Sequence, residues 1–303
     1  MSSQPTIHNF SHDAMRTRFW LRIADEDAGY AKSASEGLFH FLDDLDFQTE
    51  ARHDSGPITS INGMPEGALV TASDHVRALW DFSQNLREET GKAFDVSGGK
   101  LFKYWEARGD TVPNPDDAEW SRLWADYQEG SFILDGAQFT CVKAGAEIDF
   151  GAITRGYALD RMAEMLENNW GIHRALLMAG GSAALALDPP GDANGWRLGI
   201  GDRSEIKLCR FALASKSNAR RPAHLLDLRQ GTPVTLPAPV RSICTSAMEA
   251  EGVAMAAAVL SPAEVGELVN RGCSRGAWLP DGSRHGSVAY FEVTDRPAPE
   301  AAT

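Results

Sequence analysis

The 303-residue sequence contains no apolar run approaching the roughly 20 residues that a helix needs to span a bilayer, so we expect no transmembrane segment. Residues 1–10 lack the basic and apolar regions of a secretory signal, which predicts a cytoplasmic protein. Cysteine is scarce, and the four thiols include no CxxC pair. We therefore interpret them as reduced cysteines, with one disulfide between two of them as the alternative.

Basic residues are also few, since the chain has 29 Lys and Arg residues and 42 Asp and Glu residues, for a formal net charge of −13. A surface of that sign repels the phosphate backbone, so nucleic acid is not an expected partner. The densest basic cluster consists of Arg210, Lys216, Arg220 and Arg221. Four cations suit a small anionic ligand better than a duplex.

Several common catalytic motifs are missing. The sequence has no GxGxxG opening a helix, no GxxxxGK[ST], no HExxH and no EF-hand loop. Residues 180–184 begin like the nucleophile elbow of serine hydrolases, but Ala184 stands where that motif has glycine. These absences disfavour the P-loop, dinucleotide-binding, zinc-protease and serine-hydrolase classes.

Helical and strand patterns alternate along the chain. Apolar spacing and capping residues predict helices over 31–45, 73–90, 156–169, 245–260 and 262–269. Short apolar runs predict strands at 18–23, 174–178, 196–200, 211–214 and 287–293, and a hairpin of 132–134 with 139–142. Helices mixed with hairpin-connected strands predict an α+β fold. We expect one domain over 13–295, with a disordered N-terminus at 1–12 and a disordered tail at 296–303.

Two glycine-containing turns are candidate ligand sites. Residues 90–101 follow a predicted helix and combine glycine and small side chains with one carboxylate, Asp95, which allows the backbone to approach a ligand. The alternative is a helix C-cap followed by a loop. Residues 148–160 lead from a strand end into a helix, whose free N–H groups and Arg155 can bind a phosphate. The alternative is an ordinary β–α connection, with Asp160 as a first-turn acid.

Two further segments carry candidate chemistry. His224 precedes a Gly-Thr-Pro turn at 231–233, and a histidine there can act as a general base near neutral pH. A strand closed by a turn is the alternative. Glu251 lies among small residues on a predicted helix, where its carboxylate can bind Mg²⁺. The alternative is a solvated glutamate on a packed helix.

Taken in order, these segments resemble the ApbE family of FAD:protein FMN transferases, from about residue 15 to about residue 260. Residues 93–105 resemble GaFDpTvgpL…W, and residues 149–160 resemble DlGgIaKGyavD. Residues 224–233 resemble HiiDPrtGxP, and residues 245–255 resemble ptAmlADALaT. Shorter matches lie at residues 15–17, 61–62 and 180–181. The resemblance implies a two-lobed single α+β unit related to the T-fold, with mixed or antiparallel sheets, packed helices and FAD in the cleft.

The resemblance also implies a reaction, the Mg²⁺-dependent transfer of FMN from FAD to a Thr or Ser hydroxyl of an acceptor flavoprotein, with release of AMP. It assigns Mg²⁺ to the Ala152 carbonyl, Glu251 and Met255, and it makes His224 the base. The alternatives are an FAD-binding protein without turnover and an FAD pyrophosphatase. The residues that it assigns to FAD are Met15, Ala93, Phe94, Asp95, Asp149, Arg155 and Leu226.

The sequence departs from the family pattern at several of these positions. Glu251 replaces an aspartate, and Met255 replaces a threonine with a soft thioether that binds Mg²⁺ poorly. Arg155 replaces a lysine and keeps the positive charge. Arg52 lies near the position where an aromatic residue often stacks on the flavin. The two metal-site changes predict weaker Mg²⁺ binding than a complete ligand set provides.

Overall fold

The computed structural model describes residues 5–109, 117–201, 204–217, 225–272, 276–286 and 293–295. Its largest element is an eight-stranded sheet in which every neighbouring pair of strands is antiparallel. In spatial order its strands are β1 (Ile7–Ala14), β2 (Thr17–Ala24), β6 (Ala175–Ala179), β7 (Ala183–Ala186), β10 (Ala212–Lys216), β13 (Val240–Cys244), β14 (Gly276–Trp278) and β15 (Arg284–Gly286).

Both faces of the central strands are covered. On β2, Phe19, Leu21 and Ile23 alternate with more exposed residues and pack into the main core. The opposite face of the sheet packs against the hairpin of β8 (Trp196–Gly199) and β9 (Ser204–Leu208). Strands between two apolar layers are buried on both sides, which explains the continuous apolar sequence of β6 and β7.

Helices α1 (Ala28–Thr49), α6 (Thr154–Trp170) and α7 (Ala247–Ala257) pack on the main-core face of the sheet. Helix α3 (Asp74–Glu89) lies beside α1 and α7. The Ser73 side chain accepts a hydrogen bond from the Val76 N–H at its N-terminus, so the predicted cap of this helix is confirmed. Among the described residues, no helix combines the length and the apolar character that crossing a bilayer requires.

The remaining elements are smaller. A three-stranded sheet contains β3 (Leu69–Thr71), β5 (Gln138–Lys143) and β4 (Ser131–Asp135), and its β4–β5 pair is the predicted hairpin. Two-residue strands β11 (Leu226–Asp227) and β12 (Thr232–Pro233) pair with each other, and β16 (Val293–Asp295) pairs with β9. The other helices are α2 (Pro57–Asn62), α4 (Gly99–Arg108), α5 (Ala118–Glu129) and α8 (Pro262–Asn270).

The structure corrects the prediction for the N-terminus. Residues 7–12 were predicted to be disordered, but they form most of β1, which pairs with β2 along its whole length. This edge strand contains mainly polar residues, so its sequence has no strong apolar signal. Most of the predicted strand at 287–293 and all of the tail at 296–303 lie outside the described residues. Cys141, Cys209 and Cys244 are free thiols.

Candidate functional site

A cavity of about 730 Å³ borders all of the residues that the family resemblance assigned to FAD. Its wall combines the β1–β2 turn, the loop after α3, the turn before α6, the end of β10 and the segment at 225–228. The cofactor assignments that line it are Met15, Ala93, Phe94, Asp95, Asp149, Arg155 and Leu226. A volume of this size suits an organic ligand. The fold therefore brings together segments that lie far apart in the sequence.

Backbone hydrogen bonds hold two of these segments side by side. The Asp149 N–H donates to the Val96 carbonyl at 2.8 Å, and the Gly99 N–H donates to the Glu147 carbonyl at 2.8 Å. A Cβ atom at Gly99 would lie 2.8 Å from that same Glu147 oxygen, so this close approach requires glycine. The Asn62 side chain also holds Ile148, donating to its carbonyl at 2.8 Å and accepting from its N–H at 2.7 Å.

Asp95 shapes the loop on which it lies. One carboxylate oxygen accepts hydrogen bonds from Arg87 Nε at 2.6 Å and from the Tyr127 hydroxyl at 3.0 Å, and the other accepts from the Ser97 N–H at 2.8 Å. Burial raises the pKa of Tyr127, and the charge of Asp95 raises it further, so the phenol remains a donor. Asp95 borders the cavity, but its carboxylate organises the loop.

Two turns present backbone and charge to the cavity. At the β1–β2 turn, Met15 and Arg16 both have positive φ, and the Met15 N–H donates to Asp46 at 2.8 Å. At the second turn, Asp149 accepts from the Gly151 N–H at 2.7 Å, just before α6 begins. Arg155 in the first turn of α6 adds its guanidinium to the positive end of the helix dipole.

Two of the groups that the family resemblance assigned to Mg²⁺ contact an ammonium group instead. Lys216 Nζ donates to the Ala152 carbonyl at 3.1 Å and to Glu251 Oε1 at 3.1 Å. The other Glu251 oxygen accepts from the Gly156 N–H at 2.8 Å, and Arg155 Nε lies 3.9 Å from Oε1. In the described part of the chain, no group of three His, Cys, Asp or Glu residues is arranged to hold a metal. Because Lys216 Nζ occupies the position between the Ala152 carbonyl and Glu251, these residues as they stand do not fit a Mg²⁺ site.

The two partners are buried, with the Lys216 side chain 5% exposed and the Glu251 side chain 0% exposed. Burial lowers the pKa of Lys216, and the charge of Glu251 opposes that shift. Burial alone would raise the pKa of Glu251, but attraction by Lys216 and Arg155 lowers it below its ordinary value, so Glu251 is ionised. The alternative prediction of a solvated Glu251 is therefore wrong.

Residues 15–277 match the sequence model of the ApbE family. The chain belongs to that family. It is 26% identical over 190 residues to the FAD:protein FMN transferase of Treponema pallidum (strain Nichols), a match that covers 58% of this chain and 52% of that protein. It is also 26% identical over 247 residues to the FAD:protein FMN transferase of Klebsiella pneumoniae (strain 342), covering 77% and 75%. The chain thus spans about half the length of the Treponema relative.

Solved structures of ApbE proteins share the fold. The apo form of the Pseudomonas stutzeri flavinyl transferase ApbE gives a TM-score of 0.81 at 22% identity, covering 96% of this chain and 99% of that one. The flavin transferase ApbE from Vibrio cholerae gives 0.82 at 19% identity, covering 95% and 99%. The predicted α+β ApbE fold is confirmed.

The key residue of this ApbE site that sequence analysis missed is Lys216, which was counted only as part of a basic cluster. It follows Ala212 and Ala214 at a spacing of two on β10, and both alanines face the main core. A lysine on the core face of a strand needs a buried partner. That periodicity was the available signal.

His224, the predicted base, lies outside the described residues. Leu225, Leu226 and Leu228 line the cavity, so the chain that follows His224 lies at the wall. The indole of Trp105 donates to the Gly231 carbonyl at 3.0 Å and fixes the far end of this segment. The role of His224 stays a prediction.

Asp160 has a different role from that of a first-turn acid. Its carboxylate accepts from the Ser246 hydroxyl at 2.7 Å, the Ala247 N–H at 2.7 Å and the Met248 N–H at 3.0 Å. It therefore caps α7 from the side of α6. The contact fixes the helix that carries Glu251.

Asp160→Ala is expected to lower the free energy of unfolding by about 2–3 kcal/mol, because buried N–H donors lose their acceptor. Asp74→Ala, at an exposed carboxylate that pairs with Arg77 three residues on, is the matched control and is expected to change it little. Urea unfolding measures both variants. Equal effects of the two substitutions would show that the cross-helix cap does not stabilise the fold.

Proposed function

We propose that this protein transfers FMN from FAD to a hydroxyl group of an acceptor protein and releases AMP. The observation that carries the proposal is the convergence of the residues assigned to FAD on one cavity, in a chain of the ApbE family. The FAD:protein FMN transferases of Treponema pallidum and Klebsiella pneumoniae, each 26% identical to this chain over its matched region, support it.

The chemistry of the cavity wall suits a dinucleotide. Arg155, Lys216 and the N-terminus of α6 lie on one part of the wall, and a diphosphate carries two negative charges that they would stabilise. Apolar side chains form another part and suit the ring systems at the two ends of FAD. These apolar lining residues include Met15, Phe102, Leu225, Leu228 and Val259.

In the proposed step, the oxygen of an acceptor Thr or Ser hydroxyl attacks the phosphorus on the FMN side of the diphosphate. The bond from that phosphorus to the bridging oxygen breaks, and AMP leaves with the bridging oxygen and the electron pair. The hydroxyl proton passes to a general base, for which His224 is the sequence candidate. The product is a phosphoester that links FMN to the acceptor.

The proposed step does not use the Mg²⁺ that the family resemblance implies. The Ala152 carbonyl and Glu251, which were its predicted ligands, both accept from Lys216. Met255 borders the same cavity, but its thioether is a poor ligand for a hard cation. In the proposed reaction, Lys216 and Arg155 stabilise the negative charge of the diphosphate.

Incubating the full chain with FAD and a panel of Thr- and Ser-containing acceptor peptides is expected to yield AMP and covalent flavin–peptide in equal amounts. Chromatography quantifies AMP and free FMN, and mass spectrometry detects the phosphoester. AMP with free FMN and no flavinylated peptide would identify water as the acceptor and contradict transfer. FAD binding without AMP or flavin–peptide would identify a binding protein without turnover.

A further inference from the structure

We propose that the ammonium of Lys216 is the resident cation of the diphosphate subsite and replaces a divalent metal there. The inference rests on the proposed use of FAD. Its starting point is the pair of 3.1 Å hydrogen bonds from Lys216 Nζ to the Ala152 carbonyl and to Glu251, the two oxygens first assigned to Mg²⁺. One charged group of the chain occupies the position between them.

The fold fixes this ammonium in place. Lys216 is the last residue of β10 and pairs with Val240 on β13, so the strand ladder sets the position of its backbone. Its side chain is 5% exposed, and Glu251 behind it is fully buried on α7. Glu251 is held in turn by the Gly156 N–H of α6. Three separate elements therefore determine the position of one positive charge.

The ammonium also faces the cavity. A lysine ammonium has three donors, and in the described structure two of them are used by Ala152 and Glu251. Lys216 lines the cavity together with Arg155. The Arg155 Nε atom is buried and has no hydrogen-bond acceptor among the described residues. Lys216 thus keeps one donor that a diphosphate oxygen can satisfy, and Arg155 adds a second positive charge to the same wall.

The charge balance disfavours a divalent ion at the same point. Glu251 contributes one negative charge, whereas Lys216 and Arg155 contribute two positive charges, which leaves a net positive cluster. Mg²⁺ needs close to six oxygen ligands in octahedral geometry. Here an ion between Ala152 and Glu251 would have to displace a buried ammonium and would find the Met255 thioether nearby in the cavity wall. The anionic diphosphate complements the cluster as it stands.

The direct test measures FAD affinity of the full chain by flavin fluorescence, first in EDTA and then with added Mg²⁺ or Mn²⁺. We expect the dissociation constants to agree within about twofold, since the charge is supplied by the protein. A gain of more than about tenfold on adding the metal would overturn the inference and leave the proposed function standing. Absence of FAD binding in every condition would overturn the proposed function and the inference with it.

Lys216→Met provides a second test, in which the ammonium is removed. It is expected to weaken FAD binding in EDTA by about tenfold or more, the loss of a charge-assisted hydrogen bond. The variant frees the Ala152 and Glu251 oxygens, so added Mg²⁺ should restore part of its FAD affinity. In the unmodified protein, added Mg²⁺ should leave the FAD affinity unchanged. Unchanged affinity of the variant in EDTA would overturn the inference.

The matched control is Lys143→Met, at the last residue of β5. That lysine is exposed, pairs with Glu129 at 3.2 Å and lies outside the cavity wall, so its replacement should leave FAD affinity unchanged. Circular dichroism establishes that each variant is folded. The EDTA experiment on the unmodified chain decides the inference even where Lys216→Met fails to fold.

Discussion

Glu251→Gln is expected to lower the free energy of unfolding by about 3–5 kcal/mol, because it leaves the buried Lys216 ammonium without its counter-charge. The Glu251 side chain is 0% exposed, so water cannot reach this position to stabilise the unpaired ammonium. Glutamine keeps one acceptor oxygen where glutamate has two, so it can accept from the Gly156 N–H but then turns its amide group toward Lys216, and the variant loses that hydrogen bond together with the charge. Chemical denaturation measures the effect.

The matched control for this prediction is Glu267→Gln, at an exposed position of α8, which should change stability little. The double variant Glu251→Gln with Lys216→Met removes both charges and is expected to be more stable than Glu251→Gln alone. A Glu251→Gln variant as stable as the unmodified protein would contradict the buried ion pair. The buried ion pair would also be contradicted if the changes in the free energy of unfolding caused by the two single substitutions simply add in the double variant.

Gly156→Ala is expected to destabilise the protein by about 3 kcal/mol, because α6 and α7 cross too closely for a side chain. A Cβ atom at Gly156 would lie 2.3 Å from the Ala247 carbonyl oxygen and 2.7 Å from the Met248 nitrogen. Both are backbone atoms, so relief requires movement of a whole helix. Because α7 carries Glu251, that movement should also weaken FAD binding.

Gly181→Ala is the control for the helix crossing. Apart from its two chain neighbours, no described residue has an atom within 4 Å of a Cβ at that position, and the glycine is exposed. Thermal unfolding and FAD titration of both variants check the prediction. A Gly156→Ala variant with the stability and FAD affinity of Gly181→Ala would show that the crossing tolerates a methyl group.

Local sequence signals predicted most of the fold. Ser73 marked the start of α3, and the Asp135–Gly136 turn marked the β4–β5 hairpin, because capping and turn chemistry act within a few residues. The same local logic failed for β1. That strand is defined by its pairing with β2 at the sheet edge, whereas its own residues are mainly polar.

The family motifs predicted which segments meet at the cavity, but they did not predict what each side chain does there. Asp95 is engaged by Arg87 and Tyr127, which lie on different helices. Lys216 and Glu251 are 35 residues apart and meet only after β10 and α7 have packed together. Such contacts depend on tertiary placement, which residue spacing along one chain does not encode.

The most direct measurement is a crystal structure of the complex with FAD, grown with Mn²⁺ so that anomalous scattering locates any bound metal. We expect a diphosphate oxygen within about 3 Å of Lys216 Nζ, with the hydrogen bond to the Ala152 carbonyl retained. We also expect no manganese peak between Ala152 and Glu251. A peak at that position, with Lys216 displaced from both oxygens, would contradict the replacement of the metal by Lys216.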